Sequence, residues 1–242
     1  MYKILEKTQF SEKVFKFRIE APEMAKHAHA GQFLMVRANE TGERVPFTFA
    51  DWNPEEGWVE FIFMVIGKTT EMLSTYEAGD AIQDVTGPLG QPTEMGEGNW
   101  AVIGGGVGLA IAFPVARQLK ATGHEVHAIM GARTKDLLLL EDQFRSVLDD
   151  EHIHITTDDG SYGEKGVVTA PLERLLEAKA VDRVFCVGPV PMMKFSTLTA
   201  EKYGTPITAS LNPIMVDGTG MCGCCRVEVD GQTKLACVDG PD

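Results

Sequence analysis

The sequence predicts a β + α/β chain: an antiparallel β-barrel, then a doubly wound parallel sheet, then a small C-terminal β-hairpin domain. Three observations predict it. Residues 1 to about 96 run in short alternating apolar and polar stretches separated by Gly and Pro. From about residue 97, compact apolar strands alternate with helical segments. Four of the five cysteines fall in residues 209–242, around a hairpin pattern. The expected boundaries are 1–96, 97–208 and 209–242.

In the first region Lys13-Val-Phe-Lys-Phe-Arg-Ile, Phe33-Leu-Met-Val-Arg, Phe47-Thr-Phe-Ala and Trp58-Val-Glu-Phe-Ile-Phe-Met-Val-Ile are strands. Strands this short at this spacing suggest a small antiparallel barrel. Gly67-Lys-Thr-Thr70 turns into a helix at Glu71-Met-Leu-Ser-Thr-Tyr. The start of that helix suits either an ordinary cap or an anion such as a pyrophosphate.

In the second region Trp100-Ala-Val-Ile is a buried strand, Gly104-Gly-Gly-Val-Gly108 a tight loop, and Leu109 to Lys120 a helix. Glu125-Val-His-Ala-Ile-Met is the next strand, followed by an amphipathic segment from Leu137 to Leu148. His152-Ile-His-Ile-Thr-Thr, a helix from Val168 to Ala178, the strand Arg183-Val-Phe-Cys-Val-Gly and a helix carrying Met192-Met-Lys-Phe complete the succession. The glycine loop lacks the full dinucleotide fingerprint. Its place between strand and helix nonetheless lets backbone approach a phosphate. Loops at Gly131–Asp136, Asp158–Tyr162 and Gly188–Met193 also leave strand carboxyl ends, where ligands bind on such sheets.

The third region holds Asp217-Gly-Thr-Gly-Met-Cys222-Gly-Cys224-Cys225, then Arg226-Val-Glu-Val-Asp230-Gly231, then Leu235-Ala-Cys237. With Asp217 first, the spacing is D-x4-C-x2-C-x11-C. This is the plant-type [2Fe–2S] pattern with aspartate in the first cysteine's place. Glycines allow a tight wrap with N–H groups aimed at sulfur, and the Asp-Gly turn returns Cys237 to the others. Structural zinc, a disulfide pair and inert thiols are the competing readings. Zinc ordinarily takes two C-x2-C knuckles, and one is present. The expected ligands are Asp217, Cys222, Cys225 and Cys237, with Cys224 a buried or spectator thiol. Cys222, Cys224, Cys225 and Cys237 form the alternative set.

A net charge of −13 argues against nucleic acid and anionic membrane as partners. No apolar run approaches the roughly 18 residues of a membrane span, and no signal-peptide core opens the chain. A reducing, cytoplasmic setting is expected. The histidines at 124, 127, 152 and 154 lie on or beside strands and are expected to be structural or surface residues.

The order of barrel, nucleotide domain and cysteine loop resembles the ferredoxin–NADP reductase superfamily. More narrowly, it is similar to electron-transfer subunits of dihydroorotate dehydrogenase B and to the small subunits of sulfide dehydrogenase and NADH-dependent ferredoxin:NADP oxidoreductase. The residues carrying this likeness are Arg44-Val-Pro-Phe-Thr-Phe-Ala-Asp51, Val65–Thr70, Gly87-Pro-Leu-Gly90, Gly104–Gly108, Asp158–Gly163, Gly188–Met193 and Asn212–Cys222. Aspartate at the first cluster position resembles the transhydrogenase-type subunits, whereas dihydroorotate dehydrogenase partners carry cysteine.

The resemblance implies FAD on the barrel, held by Arg44, Pro46, Phe47, Thr48, Gly67, Lys68, Thr69 and Thr70. The superfamily motif is Arg-x-aromatic-Ser/Thr. Phe47 fits the ring that lies against the flavin and Thr48 the hydroxyl near its N5, while Arg44 stands one residue early and Val45 occupies the arginine's place. It further implies NAD(H) at Gly104, Gly105, Gly106, Val107, Gly108, Arg133, Asp158, Gly188, Pro189, Met192 and Met193, with Thr48 and Met192 nearest the hydride transfer. Arg133 and Lys135 suit a 2′-phosphate, and Asp136 or the Asp158/Asp159 pair a free ribose. The implied protein is one half of a heterodimer with a larger flavin and [4Fe–4S] subunit, coupling NADH, NADPH and ferredoxin by electron bifurcation. A dihydroorotate dehydrogenase subunit and a non-catalytic redox sensor are the alternatives.

Overall fold

The computed structural model describes residues 1–242 and divides into two compact units, Met1–Thr93 with Leu211–Asp242, and Glu94–Ser210. The C-terminal stretch, expected as a domain of its own, folds as part of the first unit. Its apolar side is too small to form a core alone, and it borrows one from the sheet beside it.

The first unit begins β1 (Tyr2–Ser11), β2 (Val14–Glu20), α1 (Pro22–Ala25), β3 (Phe33–Arg37), β4 (Arg44–Asn53), β5 (Trp58–Met64), α2 (Lys68–Ser74), β6 (Ala81–Ile82) and β7 (Asp84–Leu89). The strands form a curled antiparallel half-barrel in the order β6-β1-β2-β5-β4-β3-β7. Alternation sends Phe17, Leu34, Phe49, Val59, Phe61 and Phe63 into one core, where Phe17 and Phe63 meet edge to face at 5.1 Å. Leu73 of α2 and Met24 of the short α1 close it. Pro22 sets that helix at its first position, a turn too brief for periodicity to announce.

The other face of β2 and β5 carries an ion-pair ladder. Arg18 stands opposite Glu60, donating from Nη2 at 2.7 Å and Nε at 2.8 Å, while Lys16 Nζ lies 3.0 Å from the same carboxylate. Glu60 is only 6% exposed, and removing its charge leaves Lys16 and Arg18 with only their longer contacts to Glu6, at 3.4 and 3.3 Å. Glu60→Gln is expected to cost the first unit about 1–3 kcal/mol, measured as a lower urea midpoint at unchanged slope. An unaltered midpoint would reduce the ladder to surface decoration.

The second unit runs β8 (Trp100–Gly105), α3 (Leu109–Ala121), β9 (Val126–Ala132), α4 (Glu141–Val147), β10 (Ile153–Thr157), β11 (Glu164–Lys165), α5 (Thr169–Glu177), β12 (Arg183–Val187), α6 (Val190–Lys202) and β13 (Ile207–Ala209). All pairings are parallel, in the order β11-β10-β9-β8-β12-β13. β8 and β9 are almost wholly buried, which their unbroken apolar runs anticipate. The amphipathic segment expected from Leu137 to Leu148 is broken. A 3-10 turn covers Lys135–Leu137, Leu140 adopts φ 61°, and the helix starts only at Glu141. Four successive leucines cannot share one helical face. The break buries Leu139 and Leu140 together.

The chain closes with β14 (Arg226–Val229), β15 (Gln232–Leu235) and α7 (Ala236–Asp239). Val229 pairs with Gln232 across Asp230 (φ 51°) and Gly231 (φ 72°), the doubly left-handed turn that Asp-Gly favours. No helix is long and apolar enough to cross a membrane.

Candidate functional site

In the first unit, the strand pairing of β3 with β4 decides which side chains share a face. Thr48 stands opposite Phe33, Pro46 opposite Met35 and Arg44 opposite Arg37. Phe33 and Met35 belong to a second apolar cluster with Met215, Cys225, Ala236 and Cys237, against which Leu89 and Leu235 pack. One face of this part of the sheet therefore carries Pro46 and Thr48 and also floors the cysteine loop. Phe47 lies on the opposite face. Its ring stacks on Phe61 at 5.0 Å and an interplanar angle of 10°, packing against the barrel core while remaining partly exposed. The reason is strand parity: Val45, Phe47 and Phe49 alternate with Arg44, Pro46 and Thr48. Arg44 is exposed at the start of β4.

At the start of α2 the Thr70 hydroxyl accepts from the backbone N–H groups of Ile66 and Gly67, at 3.0 and 3.1 Å, and donates to Gly67 O at 2.9 Å. Thr70 thus organises the turn rather than presenting its hydroxyl outward. Gly67 and Lys68 are exposed, Thr69 and Thr70 buried. The amides of Lys68 and Thr69 are first-turn donors without intrahelical acceptors.

The cysteine loop is held from within. Asp217 Oδ1 accepts from Thr219 N–H and Oδ2 from Cys222 N–H, both at 2.7 Å. The Thr219 amide, with those from Cys222, holds the Asp217 carboxyl below its ordinary range. Gly218 has φ 76°, and a Cβ there would sit 2.7 Å from Met35 Cγ, so the loop rests directly on the sheet. Cys225 and Cys237 are buried with their sulfurs 3.1 Å apart. Burial, with Cys225 alongside, pushes the Cys237 thiol up to about 11. Cys222 is exposed, and the Cys224 and Asp217 hydrogen bonds lower its pKa. Cys224 is exposed rather than buried. Three thiols and one carboxylate converging on one glycine-rich loop fit an iron–sulfur centre: soft sulfur ligands suit iron, and loop amides neutralise charge on the cluster. The fifth cysteine, Cys186, lies in β12 of the second unit.

In the second unit the sequential strands step from β8 to β9 to β10, while β12 returns to the other side of β8. The switch point therefore falls between β8 and β12, where an open α/β sheet forms its ligand crevice. Gly104–Gly108 leaves one of these strands and Gly188–Met193 the other. A Cβ on Gly105 would stand 2.4 Å from Met192 Sδ, and one on Gly108 would stand 2.6 Å from Val187 O. The two loops pack backbone to backbone, which only glycine allows. Gly106, at φ 56°, faces open space. Pro189 caps α6, Met192 is half-buried against Gly105, and Met193 is buried in the sheet-to-helix core with Val184 and Cys186. Met193 thus seats the helix rather than lining the loop. Arg133 and Asp158 are exposed after β9 and β10, and Asp158 N–H donates to Ala132 O at 3.1 Å.

Comparison with known proteins sorts these sites. Residues 1–93 match an oxidoreductase FAD-binding domain, and residues 212–242 match the iron–sulfur cluster binding domain of dihydroorotate dehydrogenase B. A Thermotoga maritima protein described as a homologue of the dihydroorotate dehydrogenase B (NAD(+)) electron transfer subunit is 50% identical over 240 residues, covering 99% of this chain and 84% of the relative. The chain belongs to the family of dihydroorotate dehydrogenase B electron-transfer subunits and their homologues. A Streptococcus mutans family member, described as the electron transfer subunit itself, is 31% identical over 98% of this chain and 93% of its own. Among solved structures, a chain from work on flavin-based electron bifurcation in the NADH-dependent reduced ferredoxin-NADP oxidoreductase superposes with a TM-score of 0.93. It is 49% identical and is matched over 100% of this chain and 87% of that one. The cytochrome P450 reductase GcoB of Amycolatopsis, at 22% identity and a TM-score of 0.69, shares the fold. As a member of this family the chain is a flavin and iron–sulfur electron-transfer protein, and its two units have the ferredoxin-reductase-like architecture.

Which of these features sequence alone could find is uneven. The cysteine spacing was legible as a pattern, and FAD binding followed from the family resemblance. Phe33, Met35 and Leu89 as the floor of the cysteine loop were not, because an apolar strand residue looks the same on either face of a sheet.

Proposed function

We propose that the chain is the small subunit of a transhydrogenase-type complex, taking electrons from NADH and delivering them singly to a larger partner subunit. The observation that carries this reading is the shared face of β3 and β4: Thr48 stands opposite Phe33, and Phe33 packs in the cluster that holds buried Cys225 and Cys237. FAD converts a two-electron hydride into single electrons, and a [2Fe–2S] centre carries them one at a time. This chain's residues bind and orient. Arg44 and the turn Gly67, Lys68, Thr69 and Thr70 hold the FAD pyrophosphate, with Pro46 and Thr48 along the flavin edge. Gly104–Gly108, with Gly188, Pro189 and Met192, cradles the nicotinamide nucleotide. Arg133 and Asp158 flank its ribose, and the family likeness favours NADH over NADPH.

Asp217, Cys222, Cys225 and Cys237 are the proposed cluster ligands. Asp217→Cys is expected to keep a [2Fe–2S] centre at a shifted potential, because thiolate is the softer ligand. Redox titration followed by EPR checks it, and an unchanged potential and spectrum would remove Asp217 from the ligand set. The larger partner is proposed to carry its own flavin and [4Fe–4S] clusters, the pair working in a cytoplasmic complex that couples NADH, NADPH and ferredoxin by bifurcation. A dihydroorotate dehydrogenase partner is the second reading, favoured by the match over residues 212–242. Affinity capture of the tagged chain from its native host separates the two by the partner retained.

Anaerobic mixing with NADH and with NADPH tests the core of the proposal. Rapid flavin bleaching by NADH is expected. Absence of bleaching by either nucleotide would leave the redox-sensor reading standing instead.

A further inference from the structure

The amino ends of β9 and β10 carry a polar group that the electron route does not use. Glu125 precedes β9, His127 lies within it, and His152 and His154 bracket the start of β10. Register pairs Ile153 with Ala128 and His154 with Ile129, so alternation sets all four residues on one face of the sheet. The nucleotide loops leave the opposite, carboxyl ends of the strands.

Glu125, His127 and His152 each offer one ligand atom, and the three atoms lie within 4.8 Å of one another. Glu125 Oε1 is 3.6 Å from His127 Nε2 and 3.7 Å from His152 Nε2, beyond hydrogen-bond length. His127 is 8% exposed, and its Nε2 is buried without a hydrogen-bond partner, as is Nδ1 of His152. The orphaned nitrogen of His127 faces Glu125 and calls for an occupant, whereas in His152 the nitrogen nearest Glu125 is Nε2 and not the orphaned Nδ1. On its other edge His127 Nδ1 lies 3.2 Å from His154 Nε2. In the tautomer with His127 Nδ1–H donating to His154 Nε2, the free lone pair of His127 sits on Nε2, facing Glu125.

We propose that Glu125, His127 and His152 bind a divalent transition-metal ion of the zinc class, with His154 as a positioning residue that fixes the His127 tautomer. Two imidazoles and a carboxylate suit zinc, cobalt or nickel and disfavour magnesium and calcium, which prefer all-oxygen sets. Zinc–ligand bonds of about 2.0–2.1 Å place tetrahedral ligand atoms roughly 3.4 Å apart. Turning the exposed Glu125 carboxylate and tilting the rings closes the present distances. Three protein ligands leave a fourth position for water. Such an ion would tie the starts of two neighbouring strands together at the end of the sheet remote from the nucleotide loops.

The test is anaerobic titration of the full FAD- and cluster-loaded chain with Co2+ as spectroscopic probe and with Zn2+ by calorimetry. One equivalent beyond the cluster iron is expected, its Co2+ spectrum free of thiolate charge-transfer bands. His127→Gln should lose that equivalent. Glu125→Gln, at an exposed position that leaves the fold intact, should weaken it at least about tenfold, and His154→Ala about 10–100-fold. Failure of the wild-type chain to bind an equivalent would overturn the proposal. So would thiolate bands, which place the ion on the cysteine loop, or undiminished binding by Glu125→Gln and His127→Gln.

Discussion

Replacing Cys237 with alanine is expected to leave a flavoprotein that NADH still reduces but that passes no electrons to a one-electron acceptor. Cys237 is 3% exposed, 3.1 Å from Cys225, and packed in the cluster with Phe33 and Met35. The substitution removes one sulfur from a buried pair while leaving Arg44, Pro46 and Thr48 untouched. Iron should fall from about two atoms per chain, the content of a [2Fe–2S] centre, to near zero. FAD content should stay at the wild-type value. The parallel variant Cys224→Ala should retain its iron, since Cys224 is exposed and lies outside the proposed ligand set. Iron analysis, EPR after dithionite and acceptor reduction read both. Iron lost from Cys224→Ala as well would favour the set of Cys222, Cys224, Cys225 and Cys237, and iron kept in Cys237→Ala would overturn both sets.

Gly108→Ala is expected to impair the nucleotide site more than any other single methyl group. Gly108 has φ −59° and ψ −21°, which alanine adopts freely, so the effect isolates packing from backbone strain. The new Cβ would stand 2.6 Å from Val187 O and 3.1 Å from Gly188 Cα. Both are backbone atoms at the end of β12 and cannot swing aside as a side chain can. The loops after β8 and β12 must separate at the switch point, at a cost of about 1–3 kcal/mol. Half-saturation of flavin bleaching by NADH should rise at least about tenfold, the fold-change that ~1.4 kcal/mol of lost binding produces. FAD and iron contents should be unaltered. Gly106→Ala meets open space and serves as the contrast. If the Gly108 variant titrates with NADH as the wild type does, these two loops do not cradle the nucleotide.

Much of this architecture was legible before any coordinates. The short apolar stretches Phe33–Arg37 and Trp58–Met64 identify strands, and the structure buries nearly every residue of both, the first because each of its faces meets an apolar cluster. Unbroken apolar runs at Trp100–Ile103 and Val184–Val187 identify strands buried on both faces. Asp230-Gly231 specifies its own turn, since both residues must take positive φ. The cysteine spacing combines a tight loop over Asp217–Cys225 with a hairpin whose Asp-Gly turn returns Cys237 to it. In each case the information lies within a few residues of the position it describes.

The remainder needed contacts between segments far apart in the chain. Parity alone cannot say which face of β4 is the core, and the resemblance assigned Phe47 outward. The stacking on Phe61 sets it against the barrel core, partly exposed, and strand register puts Pro46 and Thr48 opposite Met35 and Phe33, which floor the cysteine loop. Four successive leucines at Leu137–Leu140 mark a place where one helical face cannot hold them all, but where the helix restarts depends on what Leu139 and Leu140 bury against. The grouping of Glu125 and His127 with His152 and His154 depends on the register of two parallel strands joined through a helix. Local backbone preference and hydrophobic period thus determined the elements, the loop chemistry and the family resemblance. Tertiary packing decided the faces, the switch point and the company each side chain keeps, because those depend on atoms that sequence distance does not bring together.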